Sequence, residues 1–230
     1  MINPANLIKY IDPNKKIYIA YSGGADSSAL LYLFSELRHS HSIEVEAIHV
    51  DHNLSPDNNI WESHCKKACS ELNIILHTKA VHIDVDGDGL ESAARKARYK
   101  VFSDILKEGE QLLLGHHAND VAETILLRMF RGTGIDGLEG PALTRSVGKG
   151  VLIRPLLDLT KIELLEYLKD NEISFIEDSS NFESFQDRNF IRNDIIPLIE
   201  KRWTNISSRI QATAEIIRAV SYTHLRAHET

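Results

Sequence analysis

Short apolar runs alternate with longer segments in which apolar residues recur every three to four positions. The short runs predict strands at residues 17–21, 43–50, 74–81 and 111–114. The longer segments predict helices at residues 25–39, from Pro56 onward, and at residues 90–108 and 118–131. Strands that alternate with helices predict an α/β fold with a doubly wound, mostly parallel sheet, followed by a small helical region.

The pattern changes after this alternation. Residues 146–150 are predicted to form an exposed turn, and Pro155 excludes a central strand at its position in the apolar run 151–157. Helices are predicted from Thr160 to Asn171, then over residues 189–201 and 204–220, with Pro197 kinking or dividing the first of these two.

These patterns suggest how the chain is divided. We expect one domain over residues 1–150, and its C-terminal continuation with a helical extension over residues 151–220. Residues 221–230 do not continue the amphipathic pattern well, so we expect a non-native tail there and a natural chain that continues differently.

The first strand leads into a turn rich in glycine and hydroxyl groups. Its sequence SGGADS predicts a phosphate site, because glycine permits close approach and a helix start offers free N–H donors. Neither a phosphate-loop lysine nor a three-glycine dinucleotide fingerprint is present. The alternative is a tight turn in which Asp26 caps the helix.

Two acids and a histidine follow the fourth strand. Asp120 and Glu123 lie three residues apart at the start of a predicted helix, beside His116. Oxygen ligands at this place suit magnesium or proton chemistry better than zinc. The alternative is that the two acids only complement the helix dipole.

Two other motifs suggest metal sites but are weaker. The sequence HVDH ends the second strand, where turn histidines are the commoner explanation. Residues 84–89 imitate the start of a calcium loop, but Arg95 stands where the bidentate glutamate belongs. We therefore expect an acidic turn there and no calcium.

Composition narrows the function classes. The net charge of −7 argues against a general nucleic-acid binder, although arginines and lysines cluster locally. Cys65 and Cys69 share one helix face and are expected to be buried free thiols. No signal peptide or membrane-length apolar run is present in the sequence, so we expect a cytoplasmic protein that does not bind a membrane.

The SGGADS motif resembles the pyrophosphate-loop signature of the ATP-pyrophosphatase superfamily, whose fold is adenine nucleotide alpha hydrolase-like. That resemblance implies ATP as cofactor, Asp26 as a Mg²⁺ ligand, and a nucleotide site formed by Ser22, Gly23, Gly24, Ala25, Asp26 and Ser27.

Further motifs narrow the resemblance. The sequences HVDH, ESAARKARY, GHHANDVAETILLRMFRGTGIDGL, RPLL and EDSSN…RNFIRNDIIP follow in order and are similar to the catalytic N-terminal domain of the tRNA(Ile)-lysidine synthetase family. The resemblance covers nearly all of residues 15–200. It implies that residues 1–150 form the pyrophosphate-loop, ATP-binding catalytic domain and that residues 151–220 hold the C-terminal part of the catalytic region.

This resemblance implies a ligase acting on the wobble cytidine of the CAU anticodon of tRNA(Ile). ATP would adenylate the cytidine with release of pyrophosphate, and free L-lysine would then displace AMP to form lysidine. For this reaction we expect catalytic roles for Asp26, Asp120, Glu123 and His116, with Asp120 the most directly involved and also a metal ligand. Asp120 and Glu123 could hold the metal, the lysine ammonium group or its departing proton, and these alternatives stay open. Substrate or RNA contacts are expected from Arg95, Arg98, Arg131, Arg188 and Arg192.

Three points stay open at this stage. The family usually carries Gly and then Leu-Arg after HVDH, whereas Asn53, Leu54 and Ser55 stand here, which puts one phosphate or RNA contact in doubt. A base thiolase of the same superfamily and a non-catalytic nucleotide sensor are the alternative functions. A homodimer is possible.

Overall fold

The computed structural model describes residues 2–52, 58–83, 89–177 and 187–228, with side chains for all of them except Glu91 and residues 222–228. The segments 84–88 and 178–186 and the departure at Asn53–Ser55 therefore lie outside the described residues.

A single six-stranded sheet organises the chain. The strands are β1 (Ile17–Ala20), β2 (Val45–Asp51), β3 (Leu76–Ala80), β4 (Gln111–Leu113), β5 (Thr144–Val147) and β6 (Gly150–Ile153), in the order β3-β2-β1-β4-β6-β5. All neighbours are parallel except β5 and β6. The predicted doubly wound, mostly parallel sheet is therefore confirmed.

Helices fill the connections. A 3-10 helix, Pro4–Tyr10, precedes β1, and the α-helices are α1 (Ala25–His41), α2 (Asn58–Glu71), α3 (Leu90–Ile105), α4 (Ala118–Phe130), α5 (Ile135–Leu138), α6 (Lys161–Asp170), α7 (Asp187–Phe190), α8 (Ile196–Glu200) and α9 (Ile206–His228). A π-helical turn, Ile191–Ile195, joins α7 to α8, and Pro197 lies in the first turn of α8. α9 continues past residue 220, where the predicted helix ended.

The exposed turn expected at residues 146–150 is present but shorter, because a strand flanks it on each side. These residues form the end of β5, a two-residue turn at Gly148 and Lys149, and the start of β6, with Val147 buried. Gly148 has φ +54°, which a tight hairpin turn requires. The strand β6 is flanked on both sides and ends at Ile153, so Pro155 does not interrupt its hydrogen bonds.

The chain forms two compact units. Unit 1 comprises residues 1–115, 144–155 and 163–177, and unit 2 comprises residues 116–143, 156–162 and 178–230. The units interleave along the sequence, and the functional boundaries expected at residues 150 and 220 stay predictions. Within the described ranges, no helix has the length and apolarity that a membrane crossing requires.

Each unit has its own core. In unit 1, most of α1 before Arg38 is buried, with Leu30, Leu31, Leu33 and Phe34 at 0% exposure. Phe102 and Leu106 from the α3 end pack with Leu112 and Leu152. In unit 2, Val121 and Ile125 of α4 pack with Leu157 and with Ala214 of α9. The elements that carry the candidate residues are thus anchored by apolar packing.

Candidate nucleotide site and buried carboxylate cluster

The SGGADS loop lies at the reversal point of the sheet in unit 1. β1 pairs with β2 on one side and with β4 on the other, so the chain winds outward in both directions from β1. Ligands of open α/β sheets bind at the carboxyl ends of the strands at such a point. The loop leaves β1 there and enters α1.

Hydrogen bonds of serine hydroxyl groups stabilise the conformation of the loop. The Ser27 hydroxyl donates to the carbonyl of Gly24 (3.0 Å) and accepts the N–H of Ser22 (3.2 Å), and it lies 3.0 Å from the Ser22 hydroxyl. The buried Ser28 hydroxyl donates to the carbonyl of Gly23 (3.4 Å). These bonds fix the backbone before any ligand binds, which reduces the entropy lost on binding.

Gly23 cannot be replaced by another residue without strain. Its φ of +85° lies in the left-handed region, and a Cβ there would stand 3.1 Å from the Sγ of Cys65. Its carbonyl also accepts the N–H of Ile176 at 2.9 Å. The loop is therefore packed directly against α2 and anchored to the segment after α6.

Gly115, which sequence analysis did not single out, holds the loop from the other side. A Cβ on this residue would lie 2.8 Å from the carbonyl oxygen of Asp26 and 3.2 Å from the N of Ser27. The end of β4 thus touches the first turn of α1. The only sequence signal was a glycine directly after a buried strand.

The start of α1 is open in the way an anion site requires. Its N-cap residue is Gly24, and no described side chain caps it. Asp26 lies in the first turn and is half-exposed, so the alternative in which Asp26 is the N-cap is wrong. A helix start without a side-chain cap presents N–H donors and a positive dipole end to a phosphate.

The two cysteines and His49, the first histidine of the HVDH motif, are buried in unit 1. Cys65 and Cys69 are buried free thiols, as expected, and burial raises the pKa of each to about 12. His49 is buried, with Nδ1 3.0 Å from the carbonyl oxygen of Tyr21 and 3.6 Å from Cys65 Sγ. Among the described side chains, no cluster of three or more metal-binding groups occurs.

A second candidate region of unit 1 is basic. Arg95 of α3 lies over the ring of Tyr99, and Arg145 of β5 lies over the same ring. Burial lowers the pKa of His52, and the positive charge of the nearby Arg98 lowers it further. The predicted contacts of Arg95 and Arg98 with substrate or RNA stay predictions.

Unit 2 contains a buried carboxylate cluster at the start of α4. Both Glu123 oxygens accept from arginine: Oε1 from Arg192 Nε (2.6 Å), and Oε2 from Arg192 Nη2 (2.7 Å) and Arg188 Nε (2.9 Å). Asp120 Oδ1 lies 3.4 Å from Arg188 Nη2 and 3.6 Å from Arg192 Nη2. Two acids therefore face two arginines, and Asp120 has the looser contacts.

The two histidines that precede α4 complete this cluster. Asp120 Oδ2 accepts the backbone N–H of His117 (3.0 Å) and lies 3.5 Å from its Nε2. Burial opposes ionisation of Asp120, but the nearby His117, His116 and Arg188 lower its pKa to about 2. Asp120 is therefore ionised at neutral pH. Sequence analysis named His116 but missed His117, which is buried at the N-cap of α4.

The predicted metal ligands differ in how well they suit Mg²⁺. Asp26 offers a half-exposed carboxylate in the loop, and Mg²⁺ needs only one or two carboxylates when phosphates supply the other oxygens. At Asp120, a metal would have to compete with Arg188 and Arg192. The metal role of Asp120 stays a prediction, and Asp26 is the better fit.

The remaining arginines are already engaged with carboxylates. Arg131 pairs with Asp187 at 2.6 Å, and both side chains are mostly exposed. Arg188 and Arg192 hold Glu123, as described above. Contacts of these three arginines with RNA stay predictions, since each would have to leave or share its carboxylate.

Comparison with known families gives a consistent picture. A model of ATP-binding chains, described as a PP-loop domain, matches residues 2–199. A tRNA(Ile)-lysidine synthase of Coxiella burnetii is 38% identical over 218 residues, which is 93% of this chain and 49% of the relative. A tRNA(Ile)-lysidine synthase of Pseudomonas fluorescens is 42% identical over 90% of this chain and 45% of the relative. The chain thus spans about half the length of these curated relatives.

A solved structure with the same fold is the U34-tRNA thiolase NcsA from Methanococcus maripaludis with its [4Fe-4S] cluster. It superposes with a TM-score of 0.74 at 19% identity, over 94% of this chain and 77% of the other. At this identity the likeness establishes the fold alone.

Replacing the two loop glycines separates backbone strain from ligand contact. We expect Gly23→Ala to lower the free energy of unfolding by roughly 1–2 kcal/mol because of its left-handed φ, and also to weaken ATP binding. Gly24→Ala meets only ordinary contacts at 3.5 and 3.9 Å, so it should keep its stability while weakening ATP binding. Denaturant unfolding and calorimetric titration measure the two effects.

Gly134→Ala is the matched control for both loop variants, because a Cβ there meets nothing within 4 Å and φ is ordinary. Wild-type ATP affinity in both loop variants would contradict the assignment of the loop as the nucleotide site.

The lowered pKa of Asp120 predicts how stability depends on pH. A carboxylate with a lowered folded pKa stabilises the fold fully above its unfolded pKa, and loses that contribution as pH falls through the folded value of about 2. Denaturant unfolding of wild type and Asp120→Asn should therefore show a stability difference that shrinks below about pH 4, by more than about 1 kcal/mol. A difference that is constant from pH 6 to pH 2 would contradict the ionised cluster.

Proposed function

The chain belongs to the PP-loop domain family, and we propose that it carries the catalytic half of a ligase that joins L-lysine to the wobble cytidine of tRNA(Ile) with a CAU anticodon. The loop geometry supports ATP binding with pyrophosphate as the leaving group. The specific reaction is supported by relatives named tRNA(Ile)-lysidine synthase, which match along about 90% of this chain.

In the first step, the C2 oxygen of the cytidine attacks the α-phosphate of ATP, an O–P bond forms, and pyrophosphate leaves. The Ser22–Ser27 loop binds the β- and γ-phosphates through the start of α1, which offsets the charge that builds up on the leaving group. Asp26 would hold Mg²⁺, which when bound neutralises phosphate charge. The serine hydroxyl network keeps the loop in shape during this step.

In the second step, the ε-amine of lysine attacks C2 of the adenylated cytidine, a C–N bond forms, and AMP leaves. The carboxylate cluster of unit 2 suits binding of a cationic lysine group, because Asp120 is ionised there and only loosely paired with arginine. The contacts of Asp120 Oδ1 with Arg188 and Arg192 are longer than those of Glu123 with the same arginines. An ammonium group therefore replaces the arginine contacts of Asp120 more readily than those of Glu123.

The role of Asp120 follows from its ionisation. A carboxylate whose pKa is about 2 is a weak proton acceptor at neutral pH, since an efficient general base has a pKa near the working pH. Asp120 therefore binds and orients the lysine, and is not the group that removes its proton. Glu123 holds Arg188 and Arg192 in position, and His116 is the remaining candidate for proton transfer.

The thiolase alternative fits the cysteines poorly. A sulfur relay needs a thiolate that substrate can reach, and an iron–sulfur cluster commonly takes four cysteine ligands. This chain has two cysteines, both buried with a strongly raised pKa. A non-catalytic sensor would need the loop but not the carboxylate cluster, whose burial carries a large desolvation cost.

The proposal is tested by incorporation of labelled lysine into unmodified tRNA(Ile) by the full-length protein, with ATP and magnesium. We expect ATP-dependent label in the RNA and a loss of at least about a hundredfold in rate with Asp120→Asn, whose neutral amide cannot pair with an ammonium group. The cysteine-free variant C65A/C69A, if folded, should retain ligation.

Absence of label with intact RNA and protein would overturn the ligase proposal, and sulfur transfer by the wild type that is lost in C65A/C69A would establish the thiolase alternative. The expected cytoplasmic location and a possible homodimer stay predictions beside it.

A further inference from the structure

Three arginines gather around one phenol ring in unit 1. Arg95 lies with Cζ 4.9 Å from the ring centroid of Tyr99, and its Nη2 donates to the Tyr99 hydroxyl at 3.3 Å. Arg145 of β5 lies with Cζ 4.3 Å from the same centroid. Arg154, which directly follows β6, forms a side-chain hydrogen bond to Tyr99. We name these four residues the Tyr99 cluster.

The Tyr99 cluster lies at the edge of the sheet from which the nucleotide loop leaves. Arg154 follows the carboxyl end of β6, and β6 is linked to β1 through parallel pairs with β4. The antiparallel register pairs Thr144 with Ile153, which brings Arg145 to the same end of the hairpin. The cluster therefore borders the edge where ligands of this fold bind.

The charges in this cluster are of one sign. Arg154 is only 3% exposed, and burial lowers its pKa, with the nearby positive charges of Arg145 and Arg95 lowering it further. Among the described side chains, neither Arg95 nor Arg145 pairs with a carboxylate. Gathering positive charge in this way is unfavourable for a free protein, and it becomes favourable when an anion binds.

The arrangement suits one class of anion. Arginine binds phosphate with two parallel N–H donors, and stacking on an aromatic ring fixes the plane of the guanidinium group. Arg145 is held by such stacking at an exposed position on the edge strand β5. The ATP phosphates already have donors in the SGGADS loop, so a phosphate bound here belongs to a second ligand.

We propose that the Tyr99 cluster binds a backbone phosphate of the RNA substrate and so positions the target nucleotide at the nucleotide site. This role rests on the proposed function, and it adds Tyr99, Arg145 and Arg154 to the substrate contacts. It also explains how a chain with a net charge of −7 engages RNA: through a local, oriented arginine cluster instead of a generally basic surface.

The test uses a fluorescent, unmodified RNA stem–loop with a CAU anticodon, and measures its binding to this chain by anisotropy at several salt concentrations. Arg145→Gln should lower RNA affinity roughly tenfold, the size of one charge-assisted contact. It should also make the plot of log affinity against log salt shallower by about 0.7–0.9, the value of one phosphate contact. ATP affinity, measured by calorimetric titration, should not change.

Two further variants sharpen the test. Lys149→Gln removes the same charge from the same hairpin, but at its opposite end, so it should change neither affinity. Arg145→Lys keeps the charge and loses the stacked fork, so it should lower RNA affinity with little change in the salt slope.

Unchanged RNA binding by Arg145→Gln, an equal effect of Lys149→Gln, or no salt-dependent RNA binding by the wild-type chain would each overturn the proposal. A loss of ATP affinity in Arg145→Gln would assign the cluster to the nucleotide and would also overturn it. The lysine assay above is independent: lysine ligation by the wild type together with unchanged RNA binding by Arg145→Gln contradicts only the Tyr99 cluster.

Discussion

The nucleotide loop depends on two contacts that leave no room for a side chain. The first turn of α1 lies against Gly115 at the end of β4, and Gly23 lies against Cys65 of α2 with a left-handed φ. Burial of the apolar side chains of α1 and β1 stabilises the close packing of the loop against its neighbours. This packing is possible because Gly23 and Gly115 have no Cβ atom. The serine hydroxyls then orient the loop backbone. The shape of the candidate phosphate site thus follows from how closely α1, α2 and β4 pack.

The second site is governed by charge balance. Glu123, at 1% exposure, would be costly to bury alone, and Arg188 and Arg192 offset that cost with three short contacts. Asp120 shares the same arginines at longer distances, and His117, His116 and Arg188 lower its pKa and keep it ionised. One acid therefore anchors the cluster, while the other retains the capacity to bind a cation.

The sheet, its helices and the SGGADS loop could be predicted from the sequence because periodicity and glycine spacing act locally. The β5–β6 hairpin was missed because its strands are short and Pro155 lies just beyond them. The Tyr99 cluster could not be predicted, since Tyr99, Arg145 and Arg154 meet only after the sheet has formed. Likewise, pairing of Arg188 and Arg192 with Glu123 joins residues 65 and 69 positions apart, beyond the reach of any local pattern.

In the proposed reaction the loop directs ATP to adenylate the RNA before lysine attacks. The most direct measurement uses ATP labelled at the α-phosphate, unmodified tRNA(Ile) and the full-length protein, without lysine. We expect label bound to the RNA, which unlabelled lysine then releases as AMP. Lysine ligation without label ever reaching the RNA, or retention of a γ-phosphate label in the RNA, would contradict it.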